Sequence, residues 1–208
     1  MSDYTIVDYI KDLHDPNLPH IKSREHFQDF YNFLGTEDVQ KAQSAGDYSF
    51  FLKPKGNILE LGCHWGFNCL KWAKMGFVCT GVDLSKTLIE HGRSMIAQET
   101  PEVRERITLI VSFIEDFIPQ IKYDTVVLTE TLEHVMDPEP VIKKAGQCLK
   151  STGLLYASAP SVKTGNNSHV RGITREEMER LIKIGGMQLV SLDVISETTI
   201  AVAQRKTI

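Results

Sequence analysis

The stretch NILELGCHWGF, residues 57–67, decides the fold because it joins a short apolar strand to a glycine-bearing turn. Ile58 to Leu61 form the apolar run, and Gly62 and Gly66 precede a helical pattern. Glycine lets backbone come close to a ligand, and the amides at the helix start supply hydrogen-bond donors. Alone, such a turn is weak evidence for a binding site.

A second feature strengthens the case, because Asp83 follows the next apolar run, Phe77 to Val82. An acidic residue about 20 residues after a glycine turn, at the end of a second strand, is placed to accept hydrogen bonds from two ribose hydroxyls. Asp83 would also serve as a cap for the following helix. Together, the turn and Asp83 predict a nucleoside-binding site.

Short apolar runs alternate with helical patterns along the rest of the chain, which is typical of a parallel sheet with crossover helices. Ser85, Asp137 and Thr174 have the chemistry of helix N-caps. The last two predicted strands are joined only by Ser196-Glu197-Thr198, so they must be antiparallel neighbours. The predicted strands are 58–61, 77–82, 107–111, 125–129, 154–158, 188–195 and 199–203.

Length and composition predict one domain. The 208 residues fit a single core, with residues 1–50 as a helical cap of the same domain and 51–208 as its main part. The net charge of −4 and the lack of a basic stripe disfavour a nucleic-acid partner. No apolar run approaches the roughly 18 residues of a membrane helix, so we expect a cytosolic protein. The four cysteines are expected to be reduced and mostly buried.

Four segments make the resemblance to a known family specific. ILELGCHWG, GVDLS, YDTVVLTETLEHVMDP and GLLYASAP resemble class I S-adenosylmethionine-dependent methyltransferases, particularly the ubiquinone-biosynthesis-type O-methyltransferases and their small-molecule and sugar-methylating relatives. The resemblance covers about residues 57–160 and continues more weakly through 169–190. It implies a Rossmann-like, mostly parallel seven-stranded sheet of order 3-2-1-4-5-7-6, whose last strand is antiparallel, with helices on both faces.

The resemblance also implies the cofactor, S-adenosylmethionine, its product S-adenosylhomocysteine, and the residues around them. No metal is implied. The residues expected to bind the cofactor are Glu60, Gly62, Cys63, Gly66, Asp83, Leu84, Ser112, Phe113, Ile114 and Thr129. The residues expected near the methyl acceptor are Trp65, Glu130, Glu133 and Arg171.

Two histidines are the candidate catalytic residues, because imidazole titrates near neutral pH and can accept a proton from an attacking hydroxyl. His134 follows the fourth strand, where it would act as the base or orient the loop. His169 lies in the polar connection 161–172, where it would contact the substrate, act as the base or be solvated. Trp65 fits either core packing or the substrate mouth.

The chain departs from the family pattern at two positions. His64 stands where the family has glycine, so the turn needs a backbone conformation open to other residues or a slightly altered cofactor position. Ser112 stands where an acidic residue commonly meets the adenine amino group, a role that would shift to Glu115 or Asp116.

The leading prediction of function is methyl transfer to a hydroxyl oxygen of a small molecule or a glycan, by a monomer or homodimer that does not insert into membranes. N-methylation of a small molecule is the nearest alternative. An inactive S-adenosylmethionine-binding partner subunit and an NAD-dependent dehydrogenase are the others, since a glycine turn with an acidic strand end is shared among them.

Overall fold

The structure is a computed structural model that describes residues 27–29, 31–32, 35–36, 39, 52–163 and 169–206. The described residues between 27 and 39 are helical. The rest of the predicted helical cap, residues 1–50, lies outside the described residues.

Strands and helices alternate from residue 57 onward, as the apolar pattern predicts. We number them along this part of the chain. They are β1 Asn57–Leu61, α1 Phe67–Lys74, β2 Val78–Asp83, α2 Lys86–Ile96, α3 Pro101–Arg104, β3 Ile107–Val111, β4 Tyr123–Thr129, α4 Pro138–Cys148, β5 Leu149–Pro160, α5 Arg175–Ile184, β6 Met187–Ile195 and β7 Thr198–Arg205.

The strands form one seven-stranded sheet in the order β3-β2-β1-β4-β5-β7-β6, which confirms the predicted order. β1 pairs in parallel with both β2 and β4, and β4 pairs in parallel with β5. β7 is antiparallel to both of its neighbours. The strand order reverses beside β1, so a crevice opens between the carboxyl ends of β1 and β4, where ligands bind in open α/β sheets.

Each face of the sheet is covered by helices, because successive strand residues point to opposite faces. Ile58 belongs to a core that includes α1 and α2 residues such as Trp72 and Ile89. Leu59, the next residue, belongs to the core on the other face, which includes Ile142 of α4 and Leu181 of α5. Burying such side chains stabilises the fold by roughly 1.5–3 kcal/mol each.

The three predicted helix N-caps are confirmed by their hydrogen bonds. Ser85 Oγ accepts from the amide of Leu88, Asp137 Oδ1 accepts from the amide of Glu139, and Thr174 Oγ1 accepts from the amide of Glu177. These bonds satisfy amides that lack a partner within their own helix. They also fix where each helix starts relative to the preceding strand.

The main differences from the predicted elements lie at their ends. β5 begins at Leu149, five residues earlier than predicted, because Leu149 pairs with Tyr123 across a register shift. The short helix α3, Pro101–Arg104, has no counterpart among the predicted elements. All four cysteines are free and buried, as predicted. None of the described helices is long and apolar enough to cross a membrane.

Candidate cofactor and acceptor site

The glycine turn after β1 needs its glycines for space and for backbone conformation. Gly62 and Gly66 have φ of 77° and 85°, in the left-handed region that glycine adopts without strain. A Cβ on Gly62 would lie 2.3 Å from Oγ1 of Thr131, and one on Gly66 would lie 2.8 Å from Cδ2 of Leu109. Both positions therefore exclude larger residues.

His64 occupies the same backbone region, with φ of 54°. The sequence allowed for an adapted backbone or a shifted cofactor at this position. The structure shows no adapted backbone, because His64 keeps the left-handed conformation that glycine favours. Holding a non-glycine residue there costs of order 1 kcal/mol or more. The surrounding contacts must therefore hold His64 in place.

Asp83 supplies one of these contacts. Its Oδ2 accepts a 2.8 Å hydrogen bond from the His64 amide, and its Oδ1 accepts a 2.9 Å bond from the Ser85 amide. Burial raises the pKa of the Asp83 carboxyl. Because a carboxylate oxygen can accept more than one hydrogen bond, both oxygens keep the capacity to bind ribose hydroxyls. The end of β2 and the glycine turn therefore form one site.

Glu60 is 3% exposed and lies beneath the turn. Its Oε1 accepts a 2.7 Å hydrogen bond from Nδ2 of Asn68, and Sγ of Cys69 donates to its Oε2 at 3.3 Å. Burial raises the pKa of Glu60 to about 7. The side chain thus joins β1 to the first turn of α1, and its predicted role in binding the cofactor stays a prediction. Nothing in the sequence pattern singled out Asn68.

The predicted adenine side of the site also converges on Asp83. The amide of Ser112 donates to the carbonyl oxygen of Asp83 at 2.9 Å, and Ser112 Oγ donates to the carbonyl of Phe113 at 2.7 Å. Ile114 is buried in the core. The carbonyl of Leu84 accepts a 3.3 Å hydrogen bond from Nε2 of Gln28. The turns after β2 and β3 therefore lie side by side.

The end of β4 approaches the glycine turn from the other side of the crevice. Thr129 is buried, and Thr131 Oγ1 donates to the carbonyl oxygens of Leu61 at 3.2 Å and Thr129 at 3.0 Å. Thr131 is the residue for which Gly62 leaves room, and the sequence analysis missed it. This contact joins the ends of β1 and β4.

Glu130 follows β4 in a left-handed conformation, with φ of 48°. Its amide donates to the carbonyl of Ser158 at 2.9 Å, and its Oε1 accepts a 2.8 Å hydrogen bond from Ser158 Oγ. Burial raises the pKa of the Glu130 carboxyl. The end of β5 therefore holds this predicted acceptor-side residue.

The structure brings two neighbouring predicted residues, Glu133 and His134, together with His169 from a later part of the chain. The rings of His134 and His169 meet edge to face, with centroids 4.6 Å apart. His134 Nε2 lies 3.7 Å from Glu133 Oε1. One donor atom from each residue lies within 4.8 Å of the others, which is close enough for one proton or one small cation to be shared. That no metal is needed stays a prediction.

The other two predicted acceptor-side residues lie apart from each other. Arg171 Nη2 donates a 2.8 Å hydrogen bond to the carbonyl of Met136, close to the His134 turn. The ring of Trp65 packs edge-on against His91 of α2, with centroids 5.8 Å apart. An acceptor role for either residue stays a prediction.

A family model described as a methyltransferase domain matches residues 24–195. The chain belongs to this family. The prediction of a class I S-adenosylmethionine-dependent methyltransferase is therefore confirmed, together with its strand order.

Three relatives of this chain are named ubiquinone biosynthesis O-methyltransferases. The protein of Vibrio vulnificus (strain YJ016) is 37% identical over 103 residues, and that of Coxiella burnetii (strain RSA 493 / Nine Mile phase I) is 30% identical over 102 residues. Each match covers 49% of this chain and 42% of the relative. The mitochondrial protein of Candida albicans is 28% identical over 134 residues, or 62% of this chain and 39% of the relative. The chain thus spans less than half the length of these relatives.

Solved structures share the fold at low identity. The glycopeptide N-methyltransferase MtfA, complexed with S-adenosyl-L-homocysteine, aligns with a TM-score of 0.64 and 13% identity over 84% of this chain and 87% of its own. The [4+2]-cyclase SpnF aligns with a TM-score of 0.66 and 13% identity over 85% of this chain and 81% of its own. A protein named as a cyclase shows that the fold alone does not determine the reaction.

Proposed function

We propose that this protein transfers the methyl group of S-adenosylmethionine to a hydroxyl oxygen of a small molecule or a sugar. The observation that carries the proposal is the 2.8 Å hydrogen bond between the His64 amide and Asp83 Oδ2. This bond joins the glycine turn to Asp83, the proposed acceptor of the ribose hydroxyls, in a chain that belongs to the methyltransferase family.

The cofactor would lie along the carboxyl ends of β1, β2 and β3. Gly62 and Gly66 let the methionine part come close to backbone, Asp83 accepts from the ribose, and the turn from Ser112 flanks the adenine. Methyl transfer then directs the methyl group toward the end of β4, where Glu130 and His134 lie. In this proposal the cofactor and the acceptor would lie on opposite sides of the β1–β4 crevice.

The reaction is an in-line displacement. The acceptor oxygen attacks the methyl carbon as the bond from carbon to the sulfonium breaks, which leaves neutral S-adenosylhomocysteine. Aligning the two reactants contributes up to about 7–11 kcal/mol in ideal cases. The proton of the hydroxyl must leave, and a placed base typically adds 10²–10⁴-fold in rate.

His134 and His169 are the described residues whose chemistry fits that base. Burial lowers the pKa of His169, so its imidazole is neutral at pH 7 and able to accept a proton. His169 is 8% exposed, and its ring contacts that of His134. A proton taken up by either ring stays within the same cluster.

Oxygen is favoured over nitrogen because the named relatives aligned to this chain are O-methyltransferases. N-methylation is the second candidate, since MtfA shares the fold and is named an N-methyltransferase. Membership in the methyltransferase family speaks against the NAD-dependent dehydrogenase. The inactive partner subunit differs from the proposed enzyme only in turnover.

Calorimetry distinguishes a methyltransferase from an NAD-dependent dehydrogenase by measuring which cofactor the chain binds. We expect the purified chain to bind S-adenosylhomocysteine and not NAD. Asp83→Asn should weaken that binding, whereas Asp193→Asn, on the exposed face of β6, should leave it unchanged. Binding of NAD alone would refute the proposal.

A turnover screen tests the acceptor. S-adenosylhomocysteine release is measured over pairs of compounds that differ only in carrying a hydroxyl or an amine at the same carbon. Turnover with hydroxyl members supports O-methylation, and turnover with amine members alone supports the N-methyltransferase alternative. Cofactor binding without release in any pair supports the inactive partner subunit.

A further inference from the structure

Two glutamates and two histidines converge after β4. Glu133 is fully enclosed, with 0% exposure, and His169 is 8% exposed. The side chain of His134 is 22% exposed, so the cluster is open to solvent on one side. Glu130 joins the cluster because its side chain forms a hydrogen bond with that of Glu133. Carboxylate oxygens and imidazole nitrogens, the donor atoms that bind metal ions in proteins, therefore lie together here.

The two carboxyls of this cluster meet in surroundings that disfavour negative charge. Burial raises the pKa of both Glu130 and Glu133. Within the described ranges, neither carboxyl forms an ion pair with a lysine or arginine side chain. Buried charges in proteins are paired or coordinate metals. A bound cation would therefore supply the positive charge that the described side chains do not.

The spacing within the cluster suits ligands of one ion. His134 Nε2 lies 3.7 Å from Glu133 Oε1, longer than the roughly 2.7–3.2 Å of a hydrogen bond. Imidazole and carboxylate ligands lie about 2.0–2.2 Å from a metal ion, so neighbouring ligand atoms are roughly 3–4 Å apart. The donor atoms of Glu133, His134 and His169 all lie within 4.8 Å of one another. A small inward movement of the side chains would complete the site.

Backbone hydrogen bonds hold the segments of the cluster together. The amide of Val170, the residue after His169, donates to the carbonyl of Glu133 at 2.9 Å. The hydroxyl of Tyr31 donates to the carbonyl of His134 at 3.2 Å. The loop that carries His169 is thus tied to the turn that follows β4. Contacts of this kind, outside the ligands themselves, orient the ligands of metal sites.

We propose that Glu133, His134 and His169 bind a divalent transition-metal cation, with Glu130 as the hydrogen-bond partner of the Glu133 ligand. Two imidazoles and one carboxylate form the ligand set of catalytic zinc and iron sites, and they leave coordination positions open. Each imidazole needs one nitrogen for the ion, so its other ring nitrogen keeps its own contacts. The family resemblance implied no metal, and the proposal departs from that expectation.

The proposal deepens the proposed function and rests on it for the acceptor. The cluster follows β4, where the acceptor is proposed to lie. A divalent cation lowers the pKa of an oxygen bound to it. An acceptor hydroxyl at the ion would release its proton to water, and its oxygen would attack the methyl carbon as the bond from carbon to sulfur breaks. His134 and His169 would then promote the loss of this proton by holding the ion.

Titration of the full chain with Mn²⁺ alone tests the site without cofactor or acceptor. Mn²⁺ suits the probe because it binds carboxylates and is paramagnetic. After dialysis against a chelator, we expect calorimetry to show one Mn²⁺ bound per chain. Zn²⁺ should displace it, because nitrogen and oxygen sites generally bind Zn²⁺ more tightly than Mn²⁺.

Replacing a ligand should weaken Mn²⁺ binding strongly. Even residues that only orient metal ligands contribute 10–100-fold to affinity, so we expect Glu133→Gln and His169→Gln each to lose about 100-fold or more. Glu90→Gln and His91→Gln, on α2, make the same chemical changes outside the cluster. These two controls should bind Mn²⁺ as the unmodified chain does.

Pulsed electron paramagnetic resonance identifies the ligands in the unmodified chain, so the test stands even if a variant fails to fold. We expect the spin echo of bound Mn²⁺ to be modulated by the nitrogens of two imidazoles, and by those of one in His169→Gln. Binding through oxygen alone overturns the proposal, as does the lack of one-to-one binding. Equal affinity in Glu133→Gln and the unmodified chain overturns it too.

A parallel titration with S-adenosylhomocysteine keeps the two proposals apart. A chain that binds Mn²⁺ through both imidazoles but does not bind S-adenosylhomocysteine supports the metal site and rejects the proposed function. A chain that binds S-adenosylhomocysteine but not Mn²⁺ rejects the metal site and leaves the proposed function standing.

Discussion

The backbone amide of His64 donates a 2.8 Å hydrogen bond to Oδ2 of Asp83, so the apex of the turn after β1 is tied to the end of β2. This bond holds a non-glycine residue in a left-handed conformation, with φ of 54°. The same carboxylate also caps the Ser85 amide. Asp83 therefore organises the turn that we propose binds the cofactor.

Replacing Asp83 with asparagine should therefore weaken the site more than the loss of a ribose contact alone. The amide keeps one acceptor oxygen but loses the charge and one of the two hydrogen bonds to backbone. Hydrogen bonds to charged groups contribute about 1.5–3 kcal/mol, so we expect S-adenosylhomocysteine affinity to fall by roughly 10–100-fold. Calorimetry measures it, with Asp193→Asn as the control. Equal affinities in Asp83→Asn and unmodified protein would contradict the assignment.

Cofactor affinity should depend on pH through Glu60. Because burial raises its pKa to about 7, Glu60 is mostly protonated at pH 6 and ionised at pH 8. A nearby cofactor ammonium favours the ionised form, so binding at pH 6 must release a proton, which weakens it. Affinity for S-adenosylhomocysteine should rise about tenfold from pH 6 to pH 8.

Glu60→Gln provides the control for that pH dependence. The glutamine can still accept from Asn68 through its carbonyl oxygen, and it does not titrate. Calorimetry on this variant should show a flatter pH profile than on unmodified protein. An equally steep rise in Glu60→Gln would assign the pH dependence to another group, of which Asp83 is the nearest candidate because its pKa is also raised.

The elements that could be predicted are those set by local chemistry. β3 matches its predicted bounds, and the caps Ser85, Asp137 and Thr174 behave as their side chains require. Helix α3 escaped prediction because its four residues are too few to show helical periodicity. The extra residues of β5 include Lys150 and Ser151, which have no strand pattern and follow the pairing of Leu149 with Tyr123.

The candidate site likewise has residues that could be predicted from the sequence and residues that could not. Glycine turns and the strand-end aspartate are visible in the sequence, because backbone conformation and ribose binding both demand particular residue types. Contacts such as Asn68 with Glu60 or Thr131 with Gly62 were not predicted. They depend on how the elements pack, which spacing along the chain does not encode.

Gly62→Ala should show how tightly β1 and β4 are joined. Alanine there meets two obstacles, a φ of 77° and a Cβ placed 2.3 Å from Thr131 Oγ1. Gly76→Ala is the matched control, since its φ is 97° and nothing lies within 4 Å of its Cβ. Left-handed strain costs of order 1 kcal/mol, and overpacking adds typically 1–3 kcal/mol.

Urea denaturation measures both variants. The free energy of unfolding should fall by about 1 kcal/mol in Gly76→Ala and by clearly more in Gly62→Ala, because only the second adds overpacking to strain. Adding Thr131→Ala to Gly62→Ala should recover part of the difference. Equal losses at the two glycines would mean that Thr131 moves aside without cost.

The last prediction concerns the base. If His134 or His169 takes the acceptor proton, replacing that residue with glutamine should lower kcat by roughly 10²–10⁴-fold, which is the usual contribution of general base catalysis. Affinity for S-adenosylhomocysteine should stay the same, since neither imidazole belongs to the predicted cofactor contacts. His91→Gln, on α2 beside Trp65, is the control for the loss of a histidine outside the cluster.

The assay uses whichever hydroxyl acceptor the turnover screen identifies, and the pH dependence of kcat shows whether the replaced histidine is the base. In a variant without the base, the residual kcat should increase with pH, because more of the acceptor hydroxyl is ionised in solution. Full turnover in both His134→Gln and His169→Gln would show that the acceptor gives up its proton elsewhere.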